Sequence, residues 1–221
     1  MKYPSLRAIL LLAALACLAP FIRAQDNSRW AERPGPVKNE ALKRELLHML
    51  EEDQAVRAPF LQGRQPTENE FRSMRERDEA DTKRLTEILD KYGFPGVKLV
   101  GLNATRDFVV MLLHSPSLEL QKRALPQVER AVRRREIPPD DFAMLADDVL
   151  TGEHKPQLYG TNFKFVGDKV ALDVTQDPAR LDARRRKLGL PPIREYAKQL
   201  AELYKMTLDE SSLPVPAPRR K

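Results

Sequence analysis

The chain has 221 residues, of which 32% are charged and 6% aromatic, and it carries a formal net charge of +6. Residues 1–24 hold three of the positive charges and no negative one, so six less these three leaves +3 for the remainder. A surplus this small does not favour a nucleic-acid-binding protein. Cys17 is the only cysteine, which excludes an internal disulfide framework, so the fold depends on its apolar core.

The first 24 residues have the layout of a secretory signal peptide. Lys2 and Arg7 precede an apolar run over 8–19, and the small residue Ala24 offers a cleavage point. We therefore expect an exported protein, periplasmic or secreted, that is cleaved after Ala24. Two alternatives remain open, which are a retained anchor and a lipoprotein attached to the membrane through Cys17.

The rest of the chain divides by composition. Residues 25–38 contain prolines, a glycine and polar groups, which predicts a flexible arm. A helical domain is expected over 39–206. The basic, proline-rich tail over 207–221 ends in the sequence SSLPVPAPRRK.

Apolar residues recur at helical spacing throughout the predicted domain. Asn39 is a suitable helix cap, and Thr67 with Glu70 has the pattern of a capping box. Asp53 lies on the apolar stripe of the first helix. The predicted helices cover about 39–58, 67–91, 103–115, 117–135, 138–152, 177–188 and 193–206. The expected fold is mainly α, a single domain of about six or seven helices with one antiparallel β-hairpin.

Gly167 and Asp168 suit a two-residue turn, which predicts that hairpin over about 157–174. The turn pairs Phe165 with residue 170 and Phe163 with residue 172. Because side chains alternate along a strand, the same face continues through three polar residues. These residues are Gln157, Tyr159 and Thr161. A register slip of one residue would turn all three outward.

Several short motifs resemble those of a bacterial family known only as domain of unknown function 6624. The motifs are EEDQ at 51–54, YGFP at 92–95, QLYGT at 157–161, DARR at 182–185 and GLP at 189–191. The resemblance spans about 42–196 and implies a common fold, but no activity. This chain departs from the family at Leu113 and Asn162, where glutamine is usual, and a site that uses either glutamine would be altered here.

Polar residues on otherwise apolar faces define the candidate site. Because a buried charge is costly unless it is paired, Asp53 needs a cation or another donor, for which His114, Arg184 and Arg185 are available. One hypothesis is a binding or interaction module whose pocket accepts a small anionic or polyhydroxy ligand. Its binding residues would be Gln54, Gln157, Tyr159, Thr161, Arg184 and Arg185.

A second hypothesis is a hydrolase-like acid–base enzyme in which Asp53 orients His114. No nucleophile motif accompanies the histidine, which favours the binding module. A structural alternative pairs Asp53 with Arg185, uses His114 to cap helix carbonyls and bonds Tyr159 to a loop. A scaffold that acts through its proline-rich tail is a further alternative.

The three histidines lack a short metal-binding spacing, so we expect no metal and no other cofactor. The expected partner is a small polar ligand or a protein. A membrane would be a partner only if Cys17 were lipidated.

Overall fold

The computed structural model describes residues 35–60 and 66–215. The predicted signal peptide, Cys17 and the end of the predicted tail lie outside these ranges. In the described residues the helices are α1 (Glu40–Arg57), α2 (Glu68–Tyr92), α3 (Val97–Val100), α4 (Leu102–His114), α5 (Leu118–Arg133), α6 (Pro139–Gly152), α7 (Leu181–Leu188) and α8 (Ile193–Leu203).

The mainly helical fold is confirmed, and the capping residues begin the helices as expected. The side chain of Asn39 accepts a hydrogen bond from the backbone N–H of Leu42 at the start of α1. Thr67 and Glu70 form the complete capping box of α2. The additional helix α3 has only four residues, too few for an apolar periodicity to reveal.

The chain divides into two compact units, the first ending at Leu145 and the second beginning at Ala146. This division falls inside α6 and is not predicted from the sequence. The core of the first unit is built by α1, α2, α4 and α5 around α4, whose central residues are buried on all sides. That arrangement agrees with the continuous apolar run of α4 in the sequence.

A small sheet belongs to the second unit. Its strands are β1 (Phe163–Val166), β2 (Lys169–Leu172) and β3 (Thr207–Leu208), in the order β1-β2-β3. The β1–β2 pair is antiparallel with the predicted register, Phe163 opposite Leu172 and Phe165 opposite Val170. β3 pairs with β2 in parallel, so the antiparallel hairpin is part of a three-stranded mixed sheet and does not stand alone as expected. β3 comes from residues that the sequence analysis assigned to the tail.

The prediction that the hairpin strands extend over 157–174 is also wrong, because the paired strands stop at 163 and 172. Residues 157–162 form a loop around the carboxylate of Asp147, which accepts hydrogen bonds from the backbone N–H groups of Leu158, Tyr159 and Thr161. These N–H groups are therefore not available to a strand partner. Gly160 turns the loop with φ of +69°.

None of the helices in the described parts of the chain combines the length and apolar character that a membrane span requires.

We expect that Gly160→Ala destabilises the protein more than Gly167→Ala. Both glycines have positive φ, +69° and +63°, so both substitutions introduce backbone strain of roughly 1 kcal/mol. A Cβ at Gly160 would also lie 3.0 Å from Ile193 Cδ1 and 3.2 Å from Leu181 Cδ2, whereas one at Gly167 meets no atom within 4 Å. Such overpacking adds about 1–3 kcal/mol. Urea unfolding of both variants measures the difference, and equal losses would contradict this packing.

Candidate functional site

The site in the first unit begins with the buried stripe of α1. Leu46, Leu50, Asp53 and Arg57 follow one another at spacings of four, three and four residues, so they share one helix face. All four are buried. The apolar stripe predicted from the sequence thus ends in an acid and a base.

The carboxylate of Asp53 joins the end of its own helix, α1, to the end of α4. Its Oδ1 accepts a hydrogen bond from Arg57 Nη1 at 2.6 Å and lies 2.8 Å from His114 Nδ1. Its Oδ2 accepts a hydrogen bond from Gln54 Nε2 at 2.9 Å. The structure therefore brings together three of the residues predicted from the sequence, Asp53, Gln54 and His114.

Arg57 extends this network to α2. Its Nη2 donates to Asp78 Oδ1, so one guanidinium bridges two carboxylates. We call Asp53, Arg57, Asp78 and His114 the acid–imidazole cluster. Their side chains are 1%, 4%, 18% and 2% exposed, respectively.

The position of His114 is fixed by the end of α4. The following residue, Ser115, is buried, and its hydroxyl lies 2.8 Å from that of Thr82 in α2. Gln121 of α5 donates to the carbonyl of Leu112 at 3.0 Å. Gln121 thus provides a capping hydrogen bond at the end of the helix that carries His114.

The pKa values of the acids in the cluster are shifted in opposite directions. Burial by itself would raise the pKa of Asp53, but His114 and Arg57 beside it hold that pKa below its usual value. Burial raises the pKa of Asp78 despite the contact with Arg57. The carboxylate of Asp53 also raises the pKa of Asp78, since each disfavours a second negative charge nearby.

A second ion-pair group lies next to the cluster on α1 and α2. Arg77 donates to Glu52 at 2.7 Å and to Asp81 at 2.8 Å. Burial raises the pKa of Asp81, and Asp53 contributes to that shift. The buried part of this side of the first unit therefore holds more carboxylates than guanidinium groups.

The remaining predicted residues lie in the second unit, where they contact backbone groups. Gln157 is fully buried, and its side-chain amide donates to the carbonyls of Asn162 and Asp173. The hydroxyl of Thr161 donates to Asp147 Oδ2 at 2.8 Å. These two side chains hold the loop over 157–162 in its conformation.

Both predicted arginines also bind carbonyls of the second unit. Arg184 donates to Leu158 O at 2.8 Å and to two further carbonyls. Arg185 is 1% exposed and donates to Tyr159 O at 2.6 Å and to Pro191 O at 2.7 Å, with its guanidinium 4.9 Å from the ring of Tyr196. The expected pairing of Asp53 with Arg184 or Arg185 is therefore wrong, because Arg57 on α1 takes that role.

Sequence reasoning missed Arg57 and Asp78, although a signal for each was present. Asp78 and Asp81 lie on the same stripe of α2 as the buried Met74 and Leu85. Acids on a buried stripe require partners, and Arg57 follows Asp53 by four residues, the spacing at which two helical side chains meet.

Three residues of the cluster also form a set that could hold a metal ion. One ligand atom each of Asp53, Asp78 and His114 lie within 4.8 Å of one another. They come from three different helices, so no short motif in the sequence encodes them.

The chain matches the model of a family of unknown function, DUF6624, over residues 40–209. The match covers most of the chain, and the protein belongs to this family. No curated protein and no solved structure matches it.

We expect Asp148→Asn to change how stability depends on pH. Burial raises the pKa of Asp148 to about 7, whereas an unfolded aspartate titrates near 4. Between these values the folded chain holds a proton that the unfolded chain has lost, so rising pH destabilises the fold by about 1.4 kcal/mol per unit. Asparagine does not titrate, so Asp148→Asn removes this loss of stability at rising pH.

Chemical denaturation at pH 4.5, 6 and 8 measures the effect. Asp148→Asn should gain stability relative to the parent chain as pH rises, while Asp168→Asn at the exposed hairpin turn should not. Parallel pH profiles for Asp148→Asn and the parent chain would contradict the raised pKa.

Proposed function

We propose that this member of DUF6624 is an exported binding module whose binding centre is the acid–imidazole cluster. The observation that carries the proposal is the position of Arg57. Its guanidinium bridges Asp53 and Asp78 at 4% exposure, while its Nε has no hydrogen-bond partner among the described residues. The layout of residues 1–24 supports export, with lipidation of Cys17 as the alternative.

Stability alone is a poor explanation for such a cluster. Each ion removed from water loses several kcal/mol of solvation, and replacing a buried ion pair by apolar residues is often neutral or stabilising. Among the described residues the Nε donor of Arg57 moreover has no partner, and burial raises the pKa of Asp78. A buried group of ionisable residues with shifted pKa values is typical of a functional site.

The charge of the cluster favours a ligand of positive character. Asp53 and Asp78 carry two negative charges, and Arg57 between them carries one positive charge. In the neighbouring ion-pair group, Glu52 and Asp81 likewise share the single positive charge of Arg77.

The sequence-based prediction of an anionic or polyhydroxy ligand depended on residues that lie in the second unit. Arg184, Arg185 and Gln157 donate there to backbone carbonyls, and Thr161 donates to Asp147. These contacts use the donors that an anion would require. They support the first unit as the location of the binding centre.

The second candidate function is acid–base catalysis by His114. The distance of 2.8 Å between His114 Nδ1 and Asp53 Oδ1 favours it, because a carboxylate in this position orients an imidazole for proton transfer. The imidazole side chain is only 2% exposed, however, so a substrate cannot reach it without rearrangement. That burial argues against acid–base catalysis in this conformation.

We expect Asp78→Asn to leave the melting temperature at pH 8 unchanged or to raise it. A raised pKa means that the folded state disfavours ionised Asp78, and asparagine is neutral. Asp141→Asn is the matched control, because Asp141 pairs with the buried Arg106. In each variant the arginine retains one acidic partner, which is Asp140 for Arg106 and Asp53 for Arg57.

Removing Asp141 from a buried pair should cost roughly 1–3 kcal/mol, or about 2–12 °C of melting temperature. Differential scanning calorimetry of both variants decides the comparison. If Asp78→Asn lowers the melting temperature as much as Asp141→Asn, the cluster supports the fold and the proposal fails.

Chemical modification separates the two candidate functions. Diethylpyrocarbonate, followed by peptide mass spectrometry, should modify His48 and His154 quickly, because both residues are exposed. His114 should be protected. Modification of His114 at the rate of the other two histidines would favour the acid–base enzyme over the binding module.

A further inference from the structure

We propose that Asp53, Asp78 and His114 bind a divalent transition-metal ion, and that Arg57 holds the place of this ion when it is absent. The inference rests on the proposed function and names the ligand of the same centre. The ligand atoms of the three residues already lie within 4.8 Å of one another.

The donor set indicates the class of metal. Imidazole nitrogen suits zinc, iron and copper, whereas carboxylate oxygen suits magnesium and manganese. One imidazole with two carboxylates therefore points to Mn²⁺, Fe²⁺, Co²⁺ or Zn²⁺. Three protein ligands leave further coordination positions open, as in metal sites that bind a water or a substrate.

Small movements would complete the coordination. Metal–ligand distances of about 2.0–2.2 Å require ligand atoms roughly 3–3.5 Å apart. Oδ1 of Asp53 and Nδ1 of His114 are 2.8 Å apart, so these two atoms are already close enough to bind one metal ion. Asp78, the most exposed of the three at 18%, has the greatest freedom to move inward.

Arg57 has the properties expected of a cation that neutralises the two carboxylates when no metal ion is bound. It donates to both carboxylates that would bind the metal, through Nη1 to Asp53 and through Nη2 to Asp78. It is the last residue of α1. Its Nε has no hydrogen-bond partner within residues 35–60 and 66–215, so these residues leave the guanidinium incompletely satisfied.

The test is isothermal titration calorimetry of the full chain with MnCl₂ and ZnCl₂ after treatment with a chelator. We expect one ion per chain, bound at least tenfold more weakly by Asp78→Asn and by His114→Gln. Arg57→Ala should bind more tightly, because the competing cation is gone. CoCl₂ should give visible absorption bands in the parent chain that Asp78→Asn loses.

Two matched controls separate this site from non-specific attraction. Asp81→Asn removes a neighbouring carboxylate of α2 whose pKa is also raised by burial, and it should change the affinity by less than threefold. His48→Ala removes an exposed histidine beside Glu51 and Glu52 and should have no effect. Equal weakening by Asp78→Asn and Asp81→Asn, or loss of binding in His48→Ala, would overturn the site.

The two proposals fail in different ways. A parent chain that binds none of these ions overturns the metal site, and the binding module still stands if Asp78→Asn melts no lower than the parent chain. If Asp78→Asn instead lowers the melting temperature as much as Asp141→Asn, the binding module itself fails.

Discussion

One carboxylate oxygen, Oδ1 of Asp53, is the point on which the first unit's polar interior depends. It lies within hydrogen-bond distance of Arg57 on its own helix and of His114 at the end of α4. Through Arg57 it is linked to Asp78 on α2. Three helices that otherwise meet through apolar side chains thus share one charged centre, whose members must stay paired because they are removed from water.

A comparison with the second unit explains why we assign function to this centre. Asp147 is fully buried, but its carboxylate accepts hydrogen bonds from three backbone N–H groups and the hydroxyl of Thr161. That carboxylate has a complete structural role, which is to fold the loop over 157–162. The acid–imidazole cluster, by contrast, holds two carboxylates against one guanidinium, and the Nε of that guanidinium has no hydrogen-bond partner in the part of the chain that the structure describes.

Local signals in the sequence were sufficient for much of the fold. The caps at Asn39 and Thr67 and the apolar spacing predicted the long helices, because each signal acts within one turn. The β1–β2 register followed from the turn at 167–168. β3 has only two residues, which is too short for any pattern to indicate it.

Interactions between distant residues account for the errors. The alternation of side chains predicted that β1 begins at Gln157. Alternation is a local pattern, so it does not reveal the hydrogen bonds that Asp147, ten residues earlier in the chain, accepts from the backbone after Gln157. The partnership of Asp53 with His114 was predicted because both end apolar faces. Arg57 was missed because a cation in the last turn of a helix is ordinary, and Asp78 was hidden among the many charges of α2.

The most direct test of the account is an anomalous difference map from crystals of the full chain grown with MnCl₂. The account predicts one peak about 2.0–2.3 Å from a carboxylate oxygen of Asp53, one of Asp78 and a ring nitrogen of His114, with the guanidinium of Arg57 turned away. A map without a peak there, in which Arg57 still bridges both carboxylates, would contradict it.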